Sequence, residues 1–319
     1  MANVQGFVQD VMLTRYARLL GPSLGSFIAD DIFPSVDVPT KTGQFYDVEG
    51  GFASASPGHD MVMADGQDSP LRISTEISKV SGWDVSSNGL GVQITKTSEA
   101  YASGNGLNLR QANVAILARE CAINRERQAA ALAFDSAATF LGRTAALAGS
   151  DRWDNAASDP VSIAQDARDT IIQASGEAPN MAIMGYNVYK ALRQHPLILE
   201  YCSRTSSRVG ILTNEDLARA LDVETVFVGK SVANTSAEGL AVNNAYIWGN
   251  SVLFAHIKKS PAPMTPGSCL QRWRFQGSSD GAVKRWDPTP YVEQVDMTWN
   301  DQFAAPTPAL GYLYTTVVS

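Results

Sequence analysis

Cysteine is scarce in this chain: its 319 residues hold three, Cys121, Cys202 and Cys269, far apart and with no C-x-x-C pair among them. That spacing argues against a zinc ribbon or a dithiol redox motif and predicts reduced, mostly buried thiols, as expected of a protein made inside a cell. Histidine is equally rare. His59, His195 and His256 are too separated for a local metal pair, and His195, next to Pro196 at a helix end, reads as a backbone-capping group. No apolar run approaches the roughly 18 residues a membrane span needs, and the start MANVQGFVQD lacks the basic-then-apolar layout of a signal peptide. Spanning a membrane and secretion by that route are both disfavoured. Positive charge is also short: 25 Lys and Arg face 32 Asp and Glu, for a net charge of -7, with local basic excess only around Lys258–Lys259 and Arg272–Arg274. Counterion release needs a clustered basic face, so site-specific nucleic-acid binding is not expected.

What the chain does have is 45% hydrophobic residues, enough at this length to build one or two domains without staples. A Gly-free helical pattern runs from Leu107 to Leu141, with Leu109, Ala112, Ile116, Ile123, Ala130, Phe134, Ala137 and Leu141 on one stripe and Arg119, Glu120, Glu126 and Arg127 beside it. A helix of about 35 residues would span roughly 52 Å, longer than one globular core needs, and reads as a strut. Ahead of it lie short apolar clusters, Val11 to Leu20 and Phe27 to Phe33, broken by Gly21-Pro22, and then a stretch from Lys41 to Gly106 rich in Gly, Ser and Asp. Within that stretch Phe45–Val48, Arg72–Ile77 and Val92–Thr95 alternate as strands do. These first hundred residues look too poor in core formers to bury themselves and are expected to lie as an arm and an extended hairpin over sibling chains. A front portion tucked onto its own body would count against that reading.

Beyond the strut the signals are sharper. Asp159 can cap a helix whose first residue is Pro160 and whose end is Gly176, Met181–Met184 reads as a short buried strand, and Tyr186–Arg193 as a helix halted by Pro196. Thr213-x-x-Asp216 approximates a capping box for a helix through Leu221; Val223–Val228 and Ala245–Ile257 read as strands, and Leu270–Gln276, Tyr291–Trp299 and Leu310–Val318 alternate again. The result is an α+β chain without internal repeats.

No motif builds a reaction site. GPSLG at Gly21–Gly25 fits a nucleophile elbow in letters, but the residues before Ser23 read as helix where that motif needs a strand. Gly229-Lys230-Ser231 follows a strand as a phosphate loop would, yet Glu224 stands where the earlier glycine belongs. Gly89-Leu90-Gly91 and Gly104-Asn105-Gly106 lack the third glycine of a dinucleotide fingerprint, and the Asn234-Thr235-Ser236 sequon means little without a secretory route. Arg272, Arg274, Lys284 and Arg285, interleaved with Trp273, Phe275 and Trp286, read as the wet face of strands rather than a nucleic-acid groove. No catalytic, cofactor-binding or metal-binding residue is assigned, and no cofactor.

The phrases SDPVSIAQDARDTIIQASGEAPNMAIMGYNVYKALRQHPLI, LARALDVETVFVGKSVANTS and AYIWGNSVLFAHI, following the Trp153 region in that order, resemble the major capsid proteins of tailed bacteriophages. The resemblance covers residues 151–257 by motif and the rest by order of elements. It implies an α+β fold of the Hong Kong 97 type, with an N-terminal arm (1–40), an extended β-hairpin loop (41–106), the spine helix of a peripheral domain (107–149), an axial domain (150–268) and a β-rich C-terminal segment (269–319) returning to the peripheral domain. It further implies a non-enzymatic subunit that binds itself in hexamers and pentamers, with scaffolding, portal and decoration proteins as partners, packaged double-stranded DNA lying close without specific grip, and no membrane. The place is the virion capsid, assembled in the host bacterial cytoplasm. No long charged segment precedes the arm, so a separate scaffolding protein or prior cleavage is expected; Lys79 and Lys96 offer amines in the loop, but nothing marks them for crosslinking. The alternatives are an encapsulin-like shell around protein cargo, or a cytosolic α/β hydrolase using Ser23 or a site at His195.

Overall fold

The computed structural model describes residues 8–9, 12–14, 27–47, 79–105, 107–205, 212–236, 241–261, 267–276 and 281–319. Its organising element is a helix, Leu109–Ala133, 25 residues long and capped at its start by the Asn108 side chain, which accepts from the Gln111 N–H at 3.2 Å. Before it come the short helices α1 (Ala29–Ile32) and α2 (Lys96–Gly104), so the long helix is α3. It spans about 37 Å, not the 52 Å expected. The reason for the early stop is Asp135, whose carboxylate accepts from the N–H groups of Ala137, Ala138 and Thr139 and so offers the backbone a turn in place of further helix. The buried stripe also differs from the expected one: it is Val114, Leu117, Ala118, Cys121, Glu126, Ala129, Ala130 and Ala133, while Ile116 is 57% exposed and Leu141 75%. The alanine-rich pattern permits two phases, and packing selects the one that Glu126 shares.

Two sheets flank α3. The first has six strands, β1 (Val8–Gln9), β2 (Ser35–Val38), β5 (Ser87–Thr95), β12 (Gln271–Phe275), β13 (Ala282–Thr289) and β14 (Val292–Ala304), in the order β1-β13-β14-β12-β2 with β5 also paired to β14. A separate two-stranded ribbon joins β3 (Thr42–Asp47) to β4 (Lys79–Asp84). The second sheet has five strands, β6 (Thr144–Ala146), β7 (Met181–Gly185), β8 (Thr225–Gly229), β11 (Val252–Ala255) and β15 (Gly311–Thr315), in the order β6-β15-β11-β7-β8. The N-terminal half of α3 packs Val114, Leu117 and Ala118 on Ile94, Val283 and Val295 of the first sheet. Its C-terminal half packs Ala129, Ala130 and Ala133 on Ile183, Leu253 and Leu313 of the second.

The second sheet is buried on both faces, which is why its strands read as continuous apolar runs. Ile183 and Leu253 point to α3, whereas Ala182, Met184, Val252 and Phe254 point to a layer of four helices, α4 (Pro160–Ser175), α5 (Tyr186–Gln194), α6 (Pro196–Thr205) and α7 (Asn214–Ala220). The caps follow the sequence closely. Asp159 accepts from the Val161 and Ser162 N–H groups, Gly176 closes α4 in the left-handed region at φ 75°, and Thr213 and Asp216 form a full capping box. Pro196 ends α5 and opens α6 as its first residue, a second helix the sequence reading lacked. The expected strand Ala245–Ile257 is two, β10 (Asn244–Tyr246), paired with β9 (Val232–Asn234), and β11, with Trp248 fully buried in the turn between them.

One expectation needs correction. Among the described residues of the first hundred, the apolar ones do not wait for a neighbour: Ile28, Ile32, Phe33, Val36, Val38, Trp83, Val85 and Ile94 are all buried within this chain, and β5 pairs with β14 along its whole length. Their sequence looked coreless because the surfaces that cover them are supplied by α3, Trp248 and the strands after residue 270, all remote in sequence. Residues 269–319 are β-rich, as their alternation implied, with β12–β14 in the first sheet and β15 in the second between β6 and β11. Arg72–Ile77 and the cluster Tyr16–Leu20 lie outside the described residues.

Gly229 faces Gly185 in the parallel β7–β8 register, and a Cβ added there would sit 2.1 Å from the Trp248 ring. Gly229→Ala is therefore expected to destabilise by at least about 2 kcal/mol through overpacking. Gly104→Ala, whose new methyl meets nothing within 4 Å, should leave the urea midpoint where it is. Equal midpoints for the two variants would refute this account of the β8–Trp248 contact.

Candidate functional site

Glu126 is the least expected side chain in the core. It is 1% exposed on α3, and its two oxygens take three donors: the backbone N–H groups of Ile28 and Ala29, the latter at 3.1 Å, and the Trp248 indole N–H at 3.0 Å. One carboxyl thus joins the start of α1, the middle of α3 and the β10–β11 turn. Burial pushes its pKa up from 4.5 to about 7, against the pull of the Ala29 and Ile28 amides and the Trp248 indole; the nearby Asp30 charge adds to the rise.

Two ion clusters fasten the same segments. Asp301, 4% exposed on β14, lies 3.1 Å from Arg125 of α3 and 3.7 Å from Arg272 of β12, and both arginines also reach Asp30 of α1, at 2.7 and 2.6 Å. Glu293, 5% exposed at the other end of β14, takes Arg110 of α3 at 2.8 Å and Arg285 of β13 at 2.7 Å, while Arg110 also holds Glu99 of α2 at 2.6 Å. Buried charges persist when each has an opposite partner with good geometry, and here Asp301 and Glu293 each reach α3 from β14, more than 170 residues away in sequence.

The residues singled out from sequence are dispersed. Ser23 and His59 lie outside the described residues. His195 is 3% exposed, with Nε2 3.1 Å from the Asn155 carbonyl and from Ser158 Oγ; the carbonyl only accepts, so Nε2 carries the hydrogen. The His256 Nδ1–H donates to the Ala178 carbonyl at 2.8 Å. Asn234 Oδ1 accepts from the Ser236 and Asn243 N–H groups, closing a local turn. The arginines read as a solvated face are instead held: Arg272 by Asp30 and Asp301, Arg274 by Asp37 at 2.7 Å, Arg285 by Glu293, with the Trp273 ring buried beneath. Among the described residues no three His, Cys, Asp or Glu side chains converge as a metal set, and no helix is long and apolar enough to cross a membrane. What these contacts can do is mechanical: they clamp the front of the chain to α3 and both sheets. Glu126, Asp30 and Asp301 were missed in the sequence; the available signal was a glutamate in phase with the buried alanines of α3.

Because the folded Glu126 carboxyl holds its proton to about pH 7 and the unfolded one releases it near 4.5, folding takes up a proton between those values. Stability should fall as pH rises through that window, by on the order of 3 kcal/mol, and level off above it. In Glu126→Gln the slope should vanish, and an amide N–H facing one of the three donors should cost about 1–3 kcal/mol at pH 5. Urea titrations of both proteins from pH 4.5 to 8 measure it; an unchanged slope in the variant would assign the effect elsewhere.

Residues 137–246, from the end of the α3 turn through β10, match the family model described as phage major capsid protein E. The major capsid protein of Burkholderia phage BcepMu is 28% identical over 149 residues, 47% of this chain and 47% of that one, so the chain spans about half the length of the curated relatives it matches. Among solved structures, a phage-related protein from Bordetella bronchiseptica RB50 superposes with a TM-score of 0.72 at 21% identity, over 98% of this chain and 99% of that one. The capsid protein of cyanophage P-SCSP1u gives 0.54 at 14% identity, over 90% and 87%. The fold is the α+β capsid fold of the Hong Kong 97 type. In the sequence of its middle the chain is similar to phage major capsid proteins, and in fold it is similar over its whole length to a phage-related protein.

Proposed function

We propose that this chain is a structural major capsid protein that assembles with itself into hexamers and pentamers of an icosahedral shell around phage double-stranded DNA. The observation that carries this reading is the sequence match over residues 137–246, which holds the capped helices α4 and α7 and the strands β7 and β8 of the second sheet. In that frame residues 1–40 serve as the arm, 41–106 as the extended loop, α3 as the spine of the peripheral domain and 150–268 as the axial domain. The chain acts by binding copies of itself and not by turnover. Its place is the virion, assembled in the host cytoplasm with scaffolding and portal proteins.

Part of one argument for a shell falls away, since Ile28, Ile32, Phe33, Val36, Val38, Trp83, Val85 and Ile94 have cover from their own chain. Surfaces that lack it lie elsewhere. Helix α2 buries none of its nine residues, although a helix that short is marginal in water without a partner. Its Tyr101 is 75% exposed, and Leu107 and Tyr291 beside it are 67% and 79% exposed, joined to α2 through the Leu107 N–H to the Ala102 carbonyl and the Lys96 N–H to the Tyr291 carbonyl. Neighbouring copies would cover them.

Expression with a scaffolding protein, followed by negative-stain microscopy, is expected to show closed shells or hexamer sheets; a protein that stays monomeric under every assembly condition would end the proposal. Nucleic acid in purified particles is the expected cargo, and a co-purifying enzyme would point to a protein-storing compartment.

A further inference from the structure

The second sheet and its helices carry two flanks of opposite charge. Helix α5 packs over β7 and β8, and α4 over β15 and β11, so they stand toward opposite edges of the strand order β6-β15-β11-β7-β8. On the β8 side, Tyr186 stacks on Tyr246 of β10 at 5.1 Å between centroids and lies 6.3 Å from Tyr189. The Arg193 guanidinium stands 5.5 Å from the Tyr189 centroid and the Lys230 amine 6.0 Å from it. Tyr186, Tyr189 and Arg193, with Lys190, line a cleft of about 340 Å³. Among the described residues no carboxylate pairs with Lys190, Arg193 or Lys230, although the chain as a whole has a surplus of acids.

The opposite flank is acidic. At 100° per residue, the buried face of α4, Ala164, Ala167 and Ile171, leaves Arg168 on one side, where it pairs with Asp222 ahead of β8. Asp159 and Asp166 fall on the other side, toward β15, whose Tyr314 hydroxyl donates to the Ile163 carbonyl at 3.0 Å. Asp169 points straight out. All three are exposed, and none has a cation partner among the described residues. A basic aromatic cup on one edge and an acidic ridge on the other are what a head-to-tail ring contact requires, because such a contact joins two different surfaces of identical subunits.

Resting on the shell reading above, the geometry points to a specific contact between copies: the cup of Tyr186, Tyr189, Tyr246, Arg193 and Lys230 receives the α4 ridge of Asp166 and Asp169 from a second copy of this chain. The tyrosine rings exclude water around the ion pairs, and the unpaired cations prevent the same edges from meeting cup to cup.

The test is a charge exchange in the full chain, read as particle yield by sedimentation and microscopy. Arg193→Glu with Lys230→Glu, and separately Asp166→Lys with Asp169→Lys, should each lower assembly at least tenfold, and the chain carrying all four changes should recover it. Assembly at the wild-type level in either two-residue variant would overturn the contact while leaving the shell reading intact, as would failure of the fourfold variant to recover. Loss of packaged nucleic acid with assembly unchanged would make the cup a DNA contact and also overturn it. A second readout is independent of yield: a mixture of Arg193→Cys and Asp166→Cys chains should form a disulfide-linked dimer on oxidation, and neither variant alone should. If the mixture forms none in particles, the contact is wrong; if no particles form from the wild-type chain, the shell reading fails first.

Discussion

Two sheets in this chain use a single helix as their common inner wall, and most of the structure answers to that constraint. The first half of α3 seals the sheet built on β14, and the second half seals the face of the sheet holding Ile183, Leu253 and Leu313. A helix asked to meet two surfaces cannot carry one uniform apolar stripe. Its contact residues are Val114, Leu117 and Ala118 against the first sheet and Ala129, Ala130 and Ala133 against the second. Between them Glu126 reaches Ile28, Ala29 and Trp248 at once.

Polar groups are concentrated at the seams where chain segments remote in sequence converge. Glu126, Asp301 and Glu293 are all buried, and each contacts two or three elements that apolar packing alone would allow to slide. Directional bonds of this kind fix one arrangement, because a shifted register would leave a buried charge without its partner. That rigidity would suit the proposed shell role, in which every copy must present the same outward geometry. On the outside, Arg193 and Lys230 of the cup and Asp166 and Asp169 of the α4 ridge have no ionic partner among the described residues.

Much of the middle was legible in the sequence because its signals are local. Asp159-Pro160, Gly176, His195-Pro196 and Thr213-x-x-Asp216 each mark a helix end through a bond formed within three or four residues, and all appear where the sequence places them. The order of those same elements is what resembles phage capsid proteins. The phase of α3 was not legible: alanines populate both of its faces, so hydrophobic counting put Ile116 inside and Glu126 beside the stripe, and the packing reverses both. Nor was the helix end, since Asp135 halts it by a side-chain turn that no glycine or proline announces. The front of the chain was misjudged for a related reason, because its cover comes from α3 and from β12 and β14, the strands lying about 200 residues later or more.

Sequence alone determined what depends on neighbours along the chain: the caps, the short buried strands, the want of a clustered basic face, and the ordered phrases between 151 and 257 that carry the family likeness. Only the tertiary structure decided which side of α3 faces inward, that Ile28, Ile32, Phe33, Val36, Val38, Trp83, Val85 and Ile94 are buried within their own chain, that Glu126 joins three segments, and which charges have no partner among the described residues at opposite edges of one sheet. The division follows from range: hydrogen bonds at helix ends close over a few residues and can be read in place, whereas burial and pairing are settled by partners that the chain brings together only when it folds.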